Sequence, residues 1–213
     1  STRSESEAAE LLANSFAQFQ WVRNTRNMNS GLIQEVQFRR NVLEATGLAD
    51  GWSLTETGMP LTKIFNESDL LVTRAISDGI LDGLPPEELA ALVSCFIFRS
   101  RGKEKRGKKS RESENFINES IKELMLLNDE IERIEVGFGI QPNTPPDPGF
   151  AKVVFDWVSG RTLSEVLTKE LTGGEFVRNI RLSVDLLKQI SNVAAPETAK
   201  LSLRTVELME RGV

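Results

Sequence analysis

The sequence predicts an all-α fold, a helical bundle with a small winged-helix-like β element near residues 48–58. Apolar residues recur at helical spacings of three and four along most of the 213 residues. Capping and turn signals separate these segments, and only one short segment alternates as a strand does. A mean hydropathy of −0.24 with an apolar fraction of 39% fits a chain that buries a core.

Start and stop signals place the elements in order along the chain. In the first half we predict helices at 7–19, 32–46, 59–65 and 69–78, with a hairpin at Asp50-Gly51. The segment 86–98 begins with proline and two glutamates and is apolar almost all round, so it is predicted to be the buried centre. In the second half we predict helices at 113–133, 148–158, 162–168, 174–193 and 197–211.

The residue types that are missing exclude most kinds of catalytic site. The chain has no His, no Tyr and a single cysteine, Cys95. It therefore lacks a His base, a His- or thiolate-held metal and an internal disulfide, and we predict neither catalytic nor metal-binding residues. Its acidic run, Asp129 to Glu135, is interpreted as a solvated helix face. No apolar run is long enough to cross a bilayer, which favours a cytoplasmic protein without a membrane partner.

The net charge of −5 conceals one concentrated basic segment, the predicted loop 99–112. Eight of the 26 basic residues lie between Arg99 and Arg111, and the rest of the chain carries a net charge of −12. Such a segment is a candidate for polyanion binding, and a solvated loop without a ligand is the alternative. The candidate nucleic-acid contacts within it are Arg101, Lys103, Lys105, Arg106, Lys108 and Lys109.

Two glycine-containing segments resemble phosphate-binding sites. Residues 102–110 nearly match a phosphate loop, but Lys109 occupies the position of the hydroxyl that would hold Mg²⁺. Gly173-Gly174 leads into a helix whose first two turns carry Arg178 and Arg181. This second arrangement can bind a phosphate or an acidic residue, and an ordinary helix start with surface arginines is the alternative.

Several motifs together resemble one family. They are 54–58 (LTETG), 63–71 (KIFNESDLL), 83–94 (GLPPEELAALVS), 155–157 (FDW), 174–178 (GEFVR) and 185–190 (DLLKQI). In this order and spacing they resemble the DSHCT domain, the C-terminal helical domain of DExH-box RNA helicases that assist the exosome. The first, second and fifth blocks resemble bacterial, particularly actinobacterial, members more than eukaryotic ones.

The resemblance implies a domain organisation. Residues 11–20 (LLANSFAQFQ) resemble the helix that leaves the helicase core before the arch insertion, so 1–31 is predicted to be that helix and a linker. Residues 32–213 are predicted to be the DSHCT domain. The arch is expected to be deleted or to lie outside this sequence, and the chain to be a C-terminal fragment that is not itself an enzyme.

The resemblance also implies a function, an accessory domain that guides single-stranded RNA and braces the RecA-like motor domains of the same polypeptide. By position, Asp69, Thr73 and Arg74 are expected on a ratchet-like helix beside the strand, and Arg178 and Arg181 near the strand or the motor. Single-stranded DNA stays open as a ligand. No cofactor is expected in the fragment, because ATP and Mg²⁺ would bind the motor domains of the parent helicase.

The alternative is a protein–protein docking module that does not contact nucleic acid. In that interpretation the apolar faces near Phe16 and Phe19 would contact a partner.

The resemblance to eukaryotic members breaks down at two positions. Those members carry an acidic residue near the position of Leu70 and a basic residue near the position of Leu182. Because both positions hold leucine here, a base preference linked to them is not expected.

Overall fold

The structure, a computed structural model, describes residues 30–100, 119–167 and 171–212. Over these residues it contains eight α-helices and one two-stranded antiparallel sheet. The helices are α1 (Ser30–Ala45), α2 (Asp69–Ser77), α3 (Pro86–Ile97), α4 (Glu119–Gly137), α5 (Ala151–Val158), α6 (Leu163–Val166), α7 (Gly173–Ser191) and α8 (Pro196–Met209). The strands are β1 (Ala49–Asp50) and β2 (Ser53–Leu54). The predicted all-α fold with one small β element is confirmed.

Some predicted boundaries differ from those of the structure. The segment predicted as a helix over 59–65 forms only a 3₁₀ turn, Met59–Thr62, and a second 3₁₀ turn spans Pro148–Phe150. The segment predicted over 162–168 forms the single helical turn of α6. The predicted helix 7–19 and the predicted start of α4 at residue 113 lie outside the described residues.

The chain divides into two compact units. Among the described residues, unit 1 comprises 30–78 and 126–144, and unit 2 comprises 79–100, 119–125, 145–167 and 171–212. Helix α4 therefore contributes its first seven residues to unit 2 and the others to unit 1.

The β element of unit 1 is the predicted hairpin. Ala49 pairs with Leu54 and Asp50 with Ser53, and the turn begins at Gly51, whose φ is +61°. L side chains rarely adopt this conformation, so the turn favours glycine at this position. The Asp-Gly signal in the sequence therefore identifies the turn correctly. The Glu44 side chain of α1 accepts a hydrogen bond from the Gly51 amide at 2.9 Å, which ties the turn to the helix.

The motif 54–58 fixes the exit from this hairpin. The hydroxyls of Thr55 and Thr57 both donate to the Gly47 carbonyl, at 2.8 and 3.2 Å. The Thr55 amide donates to the Leu48 carbonyl at 3.0 Å. These bonds satisfy the backbone at the end of α1, so the first block of the family resemblance has a structural role in unit 1.

Helix α3 is the buried centre of unit 2, as its all-round apolar sequence predicts. Every residue from Leu89 to Phe96 is buried, and α3 packs against α5, α7 and α8. Pro86 begins the helix, and Glu87 and Glu88 occupy its first turn, where the helix dipole favours carboxylates.

Aromatic rings connect the other helices of unit 2. Phe150 stacks on Phe98 with ring centroids 5.5 Å apart and meets the edge of Phe176, which in turn contacts Trp157 at 5.2 Å. The Trp157 indole N–H donates to the Met209 carbonyl at 3.0 Å. This bond fastens the C-terminal end of α8 to α5. It also gives the indole N–H, the one polar group of the buried Trp157 side chain, a partner in the core.

Candidate nucleic-acid interface

Helix α2 is almost entirely buried in unit 1, which places two of its three predicted contact residues inside the fold. Asp69 is 2% exposed and Thr73 is 0% exposed, and the Thr73 hydroxyl has no hydrogen-bond partner among the described residues. In this conformation neither side chain presents a polar atom to a strand passing outside. Nucleic-acid contact at α2 stays a prediction, and Arg74 is the member of the three with a partly exposed side chain.

The Arg74 guanidinium already has structural partners. It donates to the Thr46 carbonyl at 2.9 Å and pairs with Asp78 at 3.0 Å, and its side chain is 16% exposed. The first bond satisfies a carbonyl at the C-terminal end of α1. Arg74 therefore joins α1 to α2 and leaves only part of its charge available to a phosphate.

Helix α7 presents Arg178 and Arg181 on one exposed face of unit 2. Arg178, Arg181, Leu182 and Asp185 are all exposed and lie at helical spacings of three and four, so they share one face. Within the described parts of the chain, neither guanidinium makes a hydrogen bond or an ion pair. Leu182, which follows Arg181 and lies one turn after Arg178, is 41% exposed. The face thus combines two cations that have no partner among the described residues, an apolar side chain and the carboxylate of Asp185.

The start of α7 is capped by the side chains of Thr172 and Glu175. Thr172 caps the helix by accepting from the Glu175 amide at 3.2 Å, and the Glu175 carboxylate accepts from the amide and hydroxyl of Thr172. This capping box uses one amide of the first turn and places a negative charge at the positive end of the dipole. The interpretation of Gly173-Gly174 as an anion-binding helix start is therefore not supported, and the alternative of an ordinary helix start fits.

Ser100, which precedes the six candidate residues of the basic segment, is held in unit 2 by hydrogen bonds. The amide of Ser100 donates to the Asp147 carboxylate at 2.9 Å, and its hydroxyl donates to the same oxygen. Asp147 also accepts from the Gly149 amide at 2.9 Å. The candidate residues Arg101, Lys103, Lys105, Arg106, Lys108 and Lys109 lie outside the described residues, so their contacts stay predictions.

One acidic residue was interpreted wrongly from the sequence. Glu135, read as part of a solvated face, is 4% exposed in unit 1. It stands four residues after Ile131 and eight after Leu127, both buried, which puts it on the apolar face of α4. That register was the signal in the sequence, and the neighbouring exposed acids concealed it.

Two further features are absent from the described residues. They contain no group of three or more His, Cys, Asp or Glu residues that could hold a metal ion. None of the helices they form has the length and apolar character needed to cross a membrane.

Comparisons with known proteins identify relatives along most of the chain. The sequence profile of the DSHCT (NUC185) domain matches residues 51–213. The chain is 30% identical over 194 residues to "Probable helicase HelY" of Mycobacterium tuberculosis, covering 86% of this chain and 21% of that protein. It is 31% identical to the protein of the same name in Mycobacterium leprae, over 86% of this chain and 20% of that protein. Similarity to mouse "Exosome RNA helicase MTR4" is 24% over 76% of this chain and 16% of that protein.

Proposed function

Because the chain belongs to the DSHCT domain family, we propose that it is the accessory domain of an ATP-dependent RNA helicase. In that role it guides single-stranded RNA and braces the motor domains of the same polypeptide. Its relatives carry helicase names, and the chain spans about a fifth of the length of the curated relatives it matches. The proposal locates ATP, Mg²⁺ and hydrolysis in the motor domains of the parent protein. We also expect the parent to act in the cytoplasm.

The proposal that this chain contacts RNA rests on the exposed face of α7. Guanidinium groups form charge-assisted hydrogen bonds with phosphate and stack on bases, and Arg178 and Arg181 have no competing partner among the described residues. Leu182, which follows Arg181 and lies one turn after Arg178, offers an apolar surface for a base or sugar. The α7 face is thus suited to a strand read without sequence preference.

Arg74 and the basic segment would supply secondary contacts. The guanidinium of Arg74 has committed two of its nitrogens to Thr46 and Asp78, so we expect it to contribute less than the arginines of α7. The six basic residues from Arg101 to Lys109 would add nonspecific attraction to the phosphate backbone. Such attraction falls steeply as salt rises, since binding releases counterions.

A fluorescence-anisotropy titration of labelled single-stranded RNA at about 50 and 200 mM salt tests this proposal. We expect binding that weakens by one or more orders of magnitude over this range, and a further loss of about tenfold in the pair Arg178→Ala with Arg181→Ala. The control pair is Lys200→Ala with Arg204→Ala, which removes the same charge from the exposed face of α8 in unit 2. Equal losses in both pairs would contradict a specific role for the α7 face.

Two companion measurements complete the test. Neutralising Lys103, Lys105, Arg106, Lys108 and Lys109 should reduce the slope of affinity against salt and leave the effect of the α7 pair in place. The pure chain should not hydrolyse ATP with or without RNA. Measurable hydrolysis by the chain alone would contradict the location of the chemistry in the motor domains.

A docking module without nucleic-acid contact is the second candidate, favoured by exposed apolar side chains in unit 1. Phe65 is 71% exposed and Met59 is 54% exposed, so both side chains are accessible to a partner. The apolar residues Phe16 and Phe19, named for this role from the sequence, lie outside the described residues. If the α7 pair leaves RNA affinity unchanged but weakens association with the helicase core, docking is the better description.

A further inference from the structure

Unit 1 buries two carboxylates beside one guanidinium. Asp69 begins α2 and is 2% exposed, and Glu135 lies near the end of α4 and is 4% exposed. Arg39 of α1 acts electrostatically on both carboxyls, so the three side chains bring together charges from three helices of the unit. Acidic side chains are rarely buried unless they are paired, so each of them needs a physical account.

The charges in this cluster do not balance. The Arg39 guanidinium donates two hydrogen bonds to Glu35 of its own helix, at 2.8 and 3.1 Å. The Asp69 carboxylate accepts from the Leu70 amide at 2.7 Å. No hydrogen-bond donor reaches the Glu135 carboxyl from any described residue, and Glu132 faces it as a further negative charge. One cation therefore serves several carboxylates, and Glu135 is the least compensated.

A small cavity lies beside Glu135 in unit 1. A cavity of about 20 Å³ borders its side chain, which is room for a single water molecule. Its other polar lining residues are Ser68, Asn128, Glu132, Asn143 and Thr144. One water cannot replace the hydration shell that a carboxylate has in solution, whereas a neutral carboxyl group loses much less on burial.

We propose that Glu135 is a proton-operated latch in unit 1. With its carboxyl neutral, the residue holds the C-terminal half of α4 against the start of α2, with which it lines the cavity. When the carboxyl ionises, the uncompensated charge draws water and weakens this packing. The latch is a property of unit 1 and does not depend on the proposed RNA function.

The direction of titration follows from the surroundings of the two carboxyls. Burial raises the pKa of Glu135 from 4.5 to about 7, with Arg39 acting against the rise and Glu132 adding to it. Burial likewise raises the pKa of Asp69 well above its ordinary value, against the Leu70 amide and Arg39 and with a contribution from Glu135. Both groups bind a proton more tightly in the folded chain. The stabilising contribution of Glu135 is therefore complete below its unfolded pKa of 4.5 and is lost as pH rises through about 7. The contribution of Asp69 is likewise lost as pH rises.

Urea unfolding of the chain at pH 5 and pH 8, with amide hydrogen exchange over residues 126–137, tests the latch. We expect the folding equilibrium constant to fall on the order of 50-fold between these pH values, with faster exchange in α4 at pH 8. Glu135→Gln should remove the part of this dependence that Glu135 contributes and leave the part that Asp69 contributes, because the glutamine amide carries no titrating proton. Glu130→Gln, at an exposed glutamate of the same helix, should behave as the unaltered chain does.

Two outcomes would overturn the latch. One is an equal pH dependence of stability in Glu135→Gln and in the unaltered chain. The other is a direct titration of the Glu135 carboxyl carbon by NMR with a midpoint between about 4 and 5, the ordinary range of a glutamate. The NMR measurement uses the unaltered chain and stays decisive if the glutamine variant fails to fold.

Discussion

The Gly58 backbone packs directly on the carbonyl oxygen of Leu48. A Cβ atom on residue 58 would lie 1.9 Å from that oxygen, well inside contact distance. The φ of Gly58 is −85°, which any residue can adopt, so close approach and not backbone conformation requires glycine here. The last residue of the LTETG block is thus explained by packing within unit 1.

Gly58→Ala should lower the free energy of unfolding by about 2–3 kcal/mol, because the backbone at Leu48 must move to admit the methyl group. Equilibrium unfolding in urea measures the change. Gly137→Ala is the control in the same unit, since nothing lies within 4 Å of its Cβ position at the end of α4. The control should be neutral or slightly stabilising. Equal behaviour of the two variants would contradict the packing argument.

Arg211→Met should destabilise unit 2 by about 1–3 kcal/mol. The Arg211 guanidinium lies 3.9 Å from the centre of the Trp157 ring and donates to the Trp157 and Arg161 carbonyls. Methionine keeps much of the apolar contact but removes the charge and both bonds. Arg204→Met is the control, at an exposed arginine of α8. Thermal unfolding compares them, and a loss in Arg204→Met as large as in Arg211→Met would refute the assignment.

Thr172→Ala should cost about 1 kcal/mol of stability, because the Glu175 amide at the start of α7 loses its acceptor. Thr172→Ser keeps the hydroxyl and should remain near the original value. Urea unfolding of the two variants isolates the hydrogen bond from the loss of a methyl group. If serine and alanine destabilise the chain equally, the capping box does not stabilise α7.

Cys95 should be inert in the folded chain. Burial in α3 raises the pKa of its thiol from 9.0 to about 12, with Asp147 adding to the rise. The neutral thiol contributes stability that is present below pH 9 and is lost as pH rises toward 12. At pH 8 an aromatic disulfide reagent should react at least about 100-fold more slowly than with the chain unfolded in urea. Rapid reaction under native conditions would show that α3 is accessible.

The helices with one dominant local signal were predictable from the sequence. Continuous apolar character identifies α3 as the centre of unit 2, and Asp50-Gly51 identifies the hairpin turn. The resemblance to the DSHCT family is confirmed by a match over residues 51–213, and the mycobacterial relatives agree with its bacterial branch. These signals are local and do not require knowledge of how the helices pack.

The polar residues of α2 and α4 show what the sequence could not predict. Asp69 and Thr73 follow the residue pattern of a helix surface, yet other elements of unit 1 bury them. Glu135 is buried by the same unit although its neighbours Glu132 and Val136 are exposed. Burial of a polar side chain depends on tertiary packing, which periodicity within a single helix does not report.

The hydrogen bonds between Ser100 and Asp147 also act as a cross-link within unit 2. They join residues 47 positions apart, one after the end of α3 and the other before the 3₁₀ turn that leads into α5. The end of α3 and the start of α5 are therefore restrained relative to each other by polar bonds as well as by the stacking of Phe98 on Phe150.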